Sequence, residues 1–165
     1  MRKIVSVAML GCFLAGAVWA QGAQIPFAGL APGSAEAVEV TADSLQVDQA
    51  SGRAVFAGDV LVGFGPMRLA AQRVEVVYDT ADGSQGAVGR LIADGQVTFT
   101  NGVEAAEAQS ADLDLRAGIL TMKGDVILTQ GGNVLAGQSL VVDLNAGTAL
   151  VEGRVQTILQ TGTGN

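Results

Sequence analysis

Several residue types that enzymes and metal sites depend on are missing or scarce in this chain of 165 residues. It contains no histidine and a single cysteine, and aromatic residues make up only 4% of the sequence. Imidazole catalysis, disulfide scaffolds and cysteine–histidine zinc sites therefore have no residues to build on, and no nucleophile motif surrounds the serines. The composition predicts a protein that is not an enzyme and binds no cofactor or metal.

The first twenty residues predict an export signal. They begin with basic residues, continue as an apolar run and end at Ala20, a small residue suited to signal peptidase, so we expect a cleaved signal rather than a membrane span. A lipoprotein signal acylated at Cys12 is the alternative. The apolar run continues past that cysteine through Leu14, which favours cleavage after Ala20.

Positive charge is also scarce, with nine Lys and Arg residues against sixteen Asp and Glu. Cleavage of the signal would remove Arg2 and Lys3, leaving seven basic and sixteen acidic residues and a charge of −9. Such a chain repels a phosphate backbone, which argues against nucleic acid as a partner. The recurring aspartates could suggest calcium, but the nonapeptide calcium repeat is missing, and a solvated strand face is the simpler interpretation.

What the chain does contain is a repeat. A Gly-x-Val sequence begins at Gly58, Gly95, Gly124 and Gly153, at spacings of 37, 29 and 29 residues. These spacings predict four units of about 29 residues, the second enlarged by eight residues in the glycine-rich stretch TADGSQGAVG. An insertion of that composition is expected in a hairpin loop.

Each unit has two runs in which apolar residues alternate at period two, and turn residues separate the runs. The pattern predicts strands over residues 38–48, 53–64, 67–79, 88–100, 103–115, 119–130, 133–144 and 148–159. Strands of this length usually bend. The apolar parity changes between Ala71 and Val74, which predicts a one-residue bulge there, level with the glycine of the preceding run. We therefore expect an all-β fold of about eight long kinked strands whose sheet folds over to face itself.

The chain is expected to divide into four segments. Residues 1–20 are the signal peptide, and 21–37 form a flexible leader that lacks periodicity and carries two of the three prolines. Residues 38–159 form the repeated β-domain, and 160–165 are a polar tail.

One face of the predicted strands is apolar from run to run, and we call its members the inward set. They are Phe56, Val60, Val62, Leu69, Val74, Val76, Leu91, Val97, Phe99, Leu113, Leu120, Met122, Val126, Leu128, Leu135, Leu140 and Val142. For any one of them, packing against the others is the simpler interpretation. Alanines at the same level, such as Ala54 and Ala106, indicate an interior with room in it.

Three stretches resemble a known family. Val38–Asp43 (V-x-V-x-A-D), Gly52–Val62 (G-x-A-x-F-x-G-D-V-x-V) and Leu69–Tyr78 (L-A-A-x-x-V-x-V-x-Y) are similar to the OstA-like domain of the lipopolysaccharide transport proteins, the LptA family. The resemblance implies a periplasmic protein with a twisted antiparallel β-jelly roll, open at both ends. It implies that the inward set forms a trough for the acyl chains of lipopolysaccharide.

The resemblance also implies partners. These are lipopolysaccharide, the inner-membrane and outer-membrane components of the export machinery that carry related domains, and further copies of the chain stacked head to tail. In such a fold the first and last runs, 38–48 and 148–159, would be unpaired edges able to join copies.

Two other classes stay open at this point. A structural β-solenoid, such as a surface fibre or scaffold, would share the repeat and the lack of catalytic residues. An adhesin or glycan-binding module is less well supported, because aromatic residues for stacking on sugars are nearly absent.

Overall fold

The computed structural model describes residues 23–26, 38–79 and 87–159, which form eleven β-strands. The strands are β1 (Ala23–Pro26), β2 (Glu39–Thr41), β3 (Ser44–Asp48), β4 (Arg53–Phe64), β5 (Met67–Tyr78), β6 (Val88–Thr100), β7 (Glu104–Asp114), β8 (Ile119–Gln130), β9 (Asn133–Asp143), β10 (Thr148–Glu152) and β11 (Gln156–Ile158). Within these ranges no helix is long and apolar enough to cross a membrane. The predicted signal peptide and polar tail lie outside the described residues.

All eleven strands belong to one antiparallel sheet. The order is β1-β10-β9-β8-β7-β6-β5-β4-β2, with β3 also paired to β4 and β11 to β9. The two ends of this order are not hydrogen-bonded to each other among the described strands, so the sheet is open. The prediction of an all-β fold from long antiparallel strands is confirmed. A solenoid is excluded, because its coils stack equivalent strands in parallel, whereas neighbours here are joined as hairpins.

Six of the eight predicted runs are single long strands, and the first and last runs are each broken in two. The first run is interrupted at Ala42 and Asp43, and the last between Glu152 and Gln156. Both breaks lie level with the bends of the long strands. Among the described strands, β2, β3 and β11 each have a neighbour on one side only, whereas β10 lies between β9 and β1.

The bend is a β-bulge built on a glycine. Ala57 pairs with Arg73 and Val60 with Ala71, so two residues of β4, Gly58 and Asp59, oppose one residue of β5. The change of apolar parity predicts the extra residue in β5, the strand that carries Ala71, and this prediction was wrong. The glycine strand takes two residues through the bend and keeps its parity, whereas its neighbour takes one and changes parity.

The same backbone recurs in every unit, which explains the repeated Gly-x-Val sequence. Gly58, Gly95, Gly124 and Gly153 have φ of +83, +82, +84 and +81°, and the residues that follow, Asp59, Gln96, Asp125 and Arg154, have φ of +42, +51, +47 and +45°. A Cβ atom added to Gly124 would lie 2.8 Å from the Cβ of Gln109. Glycine is therefore required for both its conformation and its lack of a side chain.

Three of the recurring aspartates have local roles in turns. The Oδ1 atom of Asp114 accepts hydrogen bonds from the backbone N–H of Arg116 (3.0 Å) and of Ala117 (2.8 Å). Asp143 and Asp48 make the same Asx turns. Hydrogen bonds from Ser51, its side chain first and then its backbone N–H, hold the pKa of Asp48 below the ordinary value. Across the described ranges, no three ligating side chains are grouped as a metal would need.

The segment predicted to be a flexible leader contains β1, which pairs with β10 in antiparallel register from Ala23↔Val151 to Pro26↔Thr148. The segment predicted to be flexible therefore contributes a four-residue strand to the sheet. A strand of four residues that ends in proline is too short to show a period in the sequence. Most of the predicted hairpin insertion, residues 80–86, lies outside the described residues, between the end of β5 and the start of β6.

Candidate functional site: the apolar interior

The inward set lies almost entirely in the core. Sixteen of its seventeen residues expose 4% or less of their surface, and they form one cluster. Phe56 is the exception, since it is only partly buried against that cluster. Met67, Leu144 and Val151 belong to the same cluster but were missed. Met67 and Leu144 lie two residues from Leu69 and Val142, so the period-two pattern could have identified them.

Cross-strand pairing arranges these side chains in rows that run across the sheet. One row runs from β4 to β9 through Val62, Leu69, Phe99, Ala106, Leu128 and Leu135. A second, on the other side of the bend, runs from β3 to β10 through Val47, Ala54, Val76, Leu91, Leu113, Leu120, Val142 and Ala149. Both rows are entirely apolar. The sheet therefore presents a continuous apolar inner surface from β3 to β10.

The interior is filled by the protein's own side chains. Ala93, Ala106 and Ala111 expose 0, 1 and 3% of their surface and pack with the large residues of the cluster. These alanines are as buried as their large neighbours, and small residues of this kind let large side chains approach closely.

The apolar surface becomes accessible at one edge. Leu45 and Val47 pair with Phe56 and Ala54, so they share the inner face, yet they expose 55 and 57% of their surface. Their exposure follows from position, since among the described strands no neighbour lies beyond β3 on that side. We call Leu45, Val47 and Phe56 the β3 margin.

Among the described residues, Glu104 is the one charged residue that is buried, with 3% of its surface exposed. Its Oε2 atom accepts a hydrogen bond from Asn101 Nδ2 (2.9 Å), and its Oε1 atom accepts one from Gln130 Nε2. The backbone N–H of Glu104 donates to Asn101 Oδ1 at 2.8 Å. Both oxygens of this carboxylate accept hydrogen bonds, and they connect the β6–β7 hairpin to β8, which is a structural role.

Charged residues face outward on the long strands. A concave region of about 620 Å³ on the outer face of β6, β7 and β8 includes Arg90, Asp94, Asp112 and Lys123. Arg90 Nε donates to Asp112 Oδ1 at 2.6 Å and Arg90 Nη2 donates to Asp112 Oδ2, and these hydrogen bonds raise the pKa of Arg90. The long strands thus carry charged residues on the outer face and apolar residues on the inner face.

The comparisons with known proteins agree with this geometry. The family model described as LptA/(LptD N-terminal domain) LPS transport protein matches residues 39–148. The fold is similar to the crystal structure of LptH from Pseudomonas aeruginosa, described as the LptA homologous periplasmic component of the conserved lipopolysaccharide transport device. That match has a TM-score of 0.69 at 18% identity and covers 76% of this chain and 96% of the other. None of the curated proteins compared with the chain matches it.

The family match spans more than half of the chain, from the first strand of the repeated domain to the start of β10. The similarity to LptH confirms the fold, an open antiparallel jelly roll of long bent strands. The chain therefore belongs to the LptA/LptD N-terminal domain family of lipopolysaccharide transport proteins.

Proposed function

We propose that this protein is exported to the periplasm, where it carries lipopolysaccharide by enclosing the acyl chains between the two layers of its folded sheet. The observation that supports this most directly is the continuous inner surface, whose rows are apolar from β3 to β10. The family and the periplasmic LptH homologue support the same assignment. The inward set is then the lipid-binding surface.

Transfer energetics favour such a site. Each buried methylene group contributes about 0.8 kcal/mol, so several long acyl chains are kept out of water by tens of kcal/mol. The same hydrophobic effect holds the two layers together in the empty protein. Acyl chains that enter replace the apolar contacts between the layers with apolar contacts to lipid. The free-energy cost of separating the layers is therefore offset by the lipid contacts.

The open sheet makes this exchange feasible. Since the two ends of the sheet are not hydrogen-bonded to each other among the described strands, the layers can separate without breaking a ladder. The β3 margin already exposes apolar inner surface and is the proposed place of entry. After removal of the predicted signal, the net charge of −9 repels an anionic headgroup, which would stay in water outside the trough.

Photo-crosslinking to purified lipopolysaccharide tests the binding surface. Phe56 at the margin and Phe99 in the core both lie on the inner face, and each is replaced by p-benzoylphenylalanine, a phenylalanine with a photoreactive benzoyl group added to its ring. Both positions are expected to crosslink strongly, because acyl chains would lie against them. Leu61 and Ile127 carry the same probe as controls, since they face outward and expose 47 and 41% of their surface. Equal capture at inner and outer positions would refute the trough.

We further propose that copies join through their edges, and that the same edges meet related domains of the inner-membrane and outer-membrane export components. Exposed strand edges pair with other edges unless they are blocked. All five residues of β3 are exposed, and none is a proline or a lysine. At the other end, the predicted edge was the whole last run. The structure corrects this, because β10 is already paired with β1 and the open part of that run is β11.

The substitution Leu45→Pro is expected to abolish concentration-dependent association. Proline lacks the N–H group that an edge strand offers to an incoming strand, and residue 45 lies at the second position of β3. Sedimentation velocity over a concentration series measures the effect, and photo-crosslinking from Phe99 reports whether the monomer still binds lipid. A proline variant that associates like the wild type would show that β3 is not the joint.

A further inference from the structure

The strand β1 covers an edge that the repeat leaves open. Its four residues pair with Thr148, Ala149, Leu150 and Val151, so they occupy four of the five residues of β10. No described strand pairs with the outer side of β1, which therefore forms the end of the sheet. The repeated domain thus ends on a strand that is not part of any repeat.

The direction of β1 matches that of β3. Each strand from β3 to β10 is antiparallel to the next one in the sheet, so β3 runs opposite to β10. Since β1 is antiparallel to β10, it runs in the same direction as β3. A second copy placed head to tail would offer its β3 to β10 in this orientation and would continue the antiparallel ladder.

The positions match as well. Following the register from strand to strand, β3 and β10 lie on the same side of the bend, and β2 and β11 lie on the other. β3 and β10 both have five residues, and β2 and β11 both have three. The β2–β3 edge of one copy is therefore the counterpart of the β10–β11 edge of another, with the breaks aligned.

The last residue of β1 is Pro26, opposite Thr148. Proline has no N–H group and is confined to the edges of sheets, where it stops the addition of further strands. When paired, β1 occupies the β10 edge that a second copy would use. It also ends in a proline, which cannot donate a backbone hydrogen bond to a further strand.

We infer that β1 is an intramolecular cap on the β10 edge, and that a second copy of the chain must displace it by β-strand addition through β3. This inference rests on the proposed edge-to-edge stacking and adds a competition to it. The free protein is protected from uncontrolled growth into fibres, and each junction is made at the expense of one intramolecular strand. Association is then weaker in the full chain than in a chain without β1.

Two variants test the cap. The first deletes residues 21–27, which removes β1 from the exported chain. The second joins Ile25 and Ala149, which are paired in the register, by the substitutions Ile25→Cys and Ala149→Cys in a Cys12→Ala background. Sedimentation velocity is run over the same concentration series for wild type, deletion and oxidised double-cysteine protein. The deletion is expected to lower the concentration of half-association at least tenfold, and the oxidised variant to remain monomeric.

Reduction of the double-cysteine variant is the internal control, because it should restore wild-type association if the fold is intact. Adding Leu45→Pro to the deletion variant should abolish the enhanced association, which identifies β3 of a second copy as the strand that replaces β1. Association of the deletion variant equal to that of wild type would overturn the cap and leave edge stacking intact. Failure of every variant to associate, including the deletion, would overturn the stacking itself.

Discussion

The substitution Gly124→Val is expected to destabilise the fold by about 3 kcal/mol or more. A valine at φ +84° adopts a backbone conformation that costs a β-branched residue about 1–3 kcal/mol. Its Cβ would lie 2.8 Å from the Cβ of Gln109, and overpacking of this kind adds about 1–3 kcal/mol. Denaturant unfolding measures the free energy, and an unchanged slope would show that the two-state comparison holds.

Gly102 provides the matched control. Its φ is +92°, yet nothing lies within 4 Å of a Cβ added there. Gly102→Val therefore carries the conformational part of the effect without the crowding, and the loss of stability should be clearly smaller. Equal losses at Gly102 and Gly124 would mean that the close approach of Gln109 plays no part in the bend.

The second large effect is expected from Leu128→Ala, which should destabilise the fold by about 2–5 kcal/mol. Leu128 is fully buried in β8, between Ala106 and Leu135 in one of the inner rows. Truncation removes apolar burial and leaves a cavity that rigid strands on both sides cannot close. Thermal or denaturant unfolding of the variant measures the loss.

Leu61→Ala is the control of the same chemistry, because Leu61 faces outward from β4 with 47% of its surface exposed. Its removal should change stability by no more than about 0.5 kcal/mol. Similar losses for the two leucines would contradict the assignment of inner and outer faces. That outcome would also remove the basis for treating the inner rows as a lipid-binding surface.

Much of this architecture could be predicted because apolar and polar residues alternate along a strand that has one buried and one exposed face. Residues such as Val74, Leu91 and Leu120 are buried because every second position of a strand faces the interior, and the pattern repeats in each unit. The position of the bend could also be predicted from its glycine, because no other residue suits φ near +83° beside a close neighbour. The long strands and the inward set were therefore accessible from the chain alone.

Other features depend on contacts that a local pattern does not contain. The bulge was assigned to the wrong strand because a change of parity shows only that two neighbours differ in length across the bend, as between Val60 and Ala71. The pairing of β1 with β10 joins segments more than a hundred residues apart and has no periodic signal. The packing of the interior depends on contacts between the two layers of the sheet. The pattern of a single strand contains no information on those contacts.

The bend has a consequence for size. Because every unit contributes the same corner and two strands, one more 29-residue unit would add roughly 10 Å of sheet, at about 4.8 Å per strand. Two added strands would leave β3 and β10 antiparallel to each other, whereas one added strand would make them parallel and spoil the junction with the next copy. The span of a single molecule can therefore grow only in double-strand steps, which makes the tandem duplication of whole units the natural way to lengthen it.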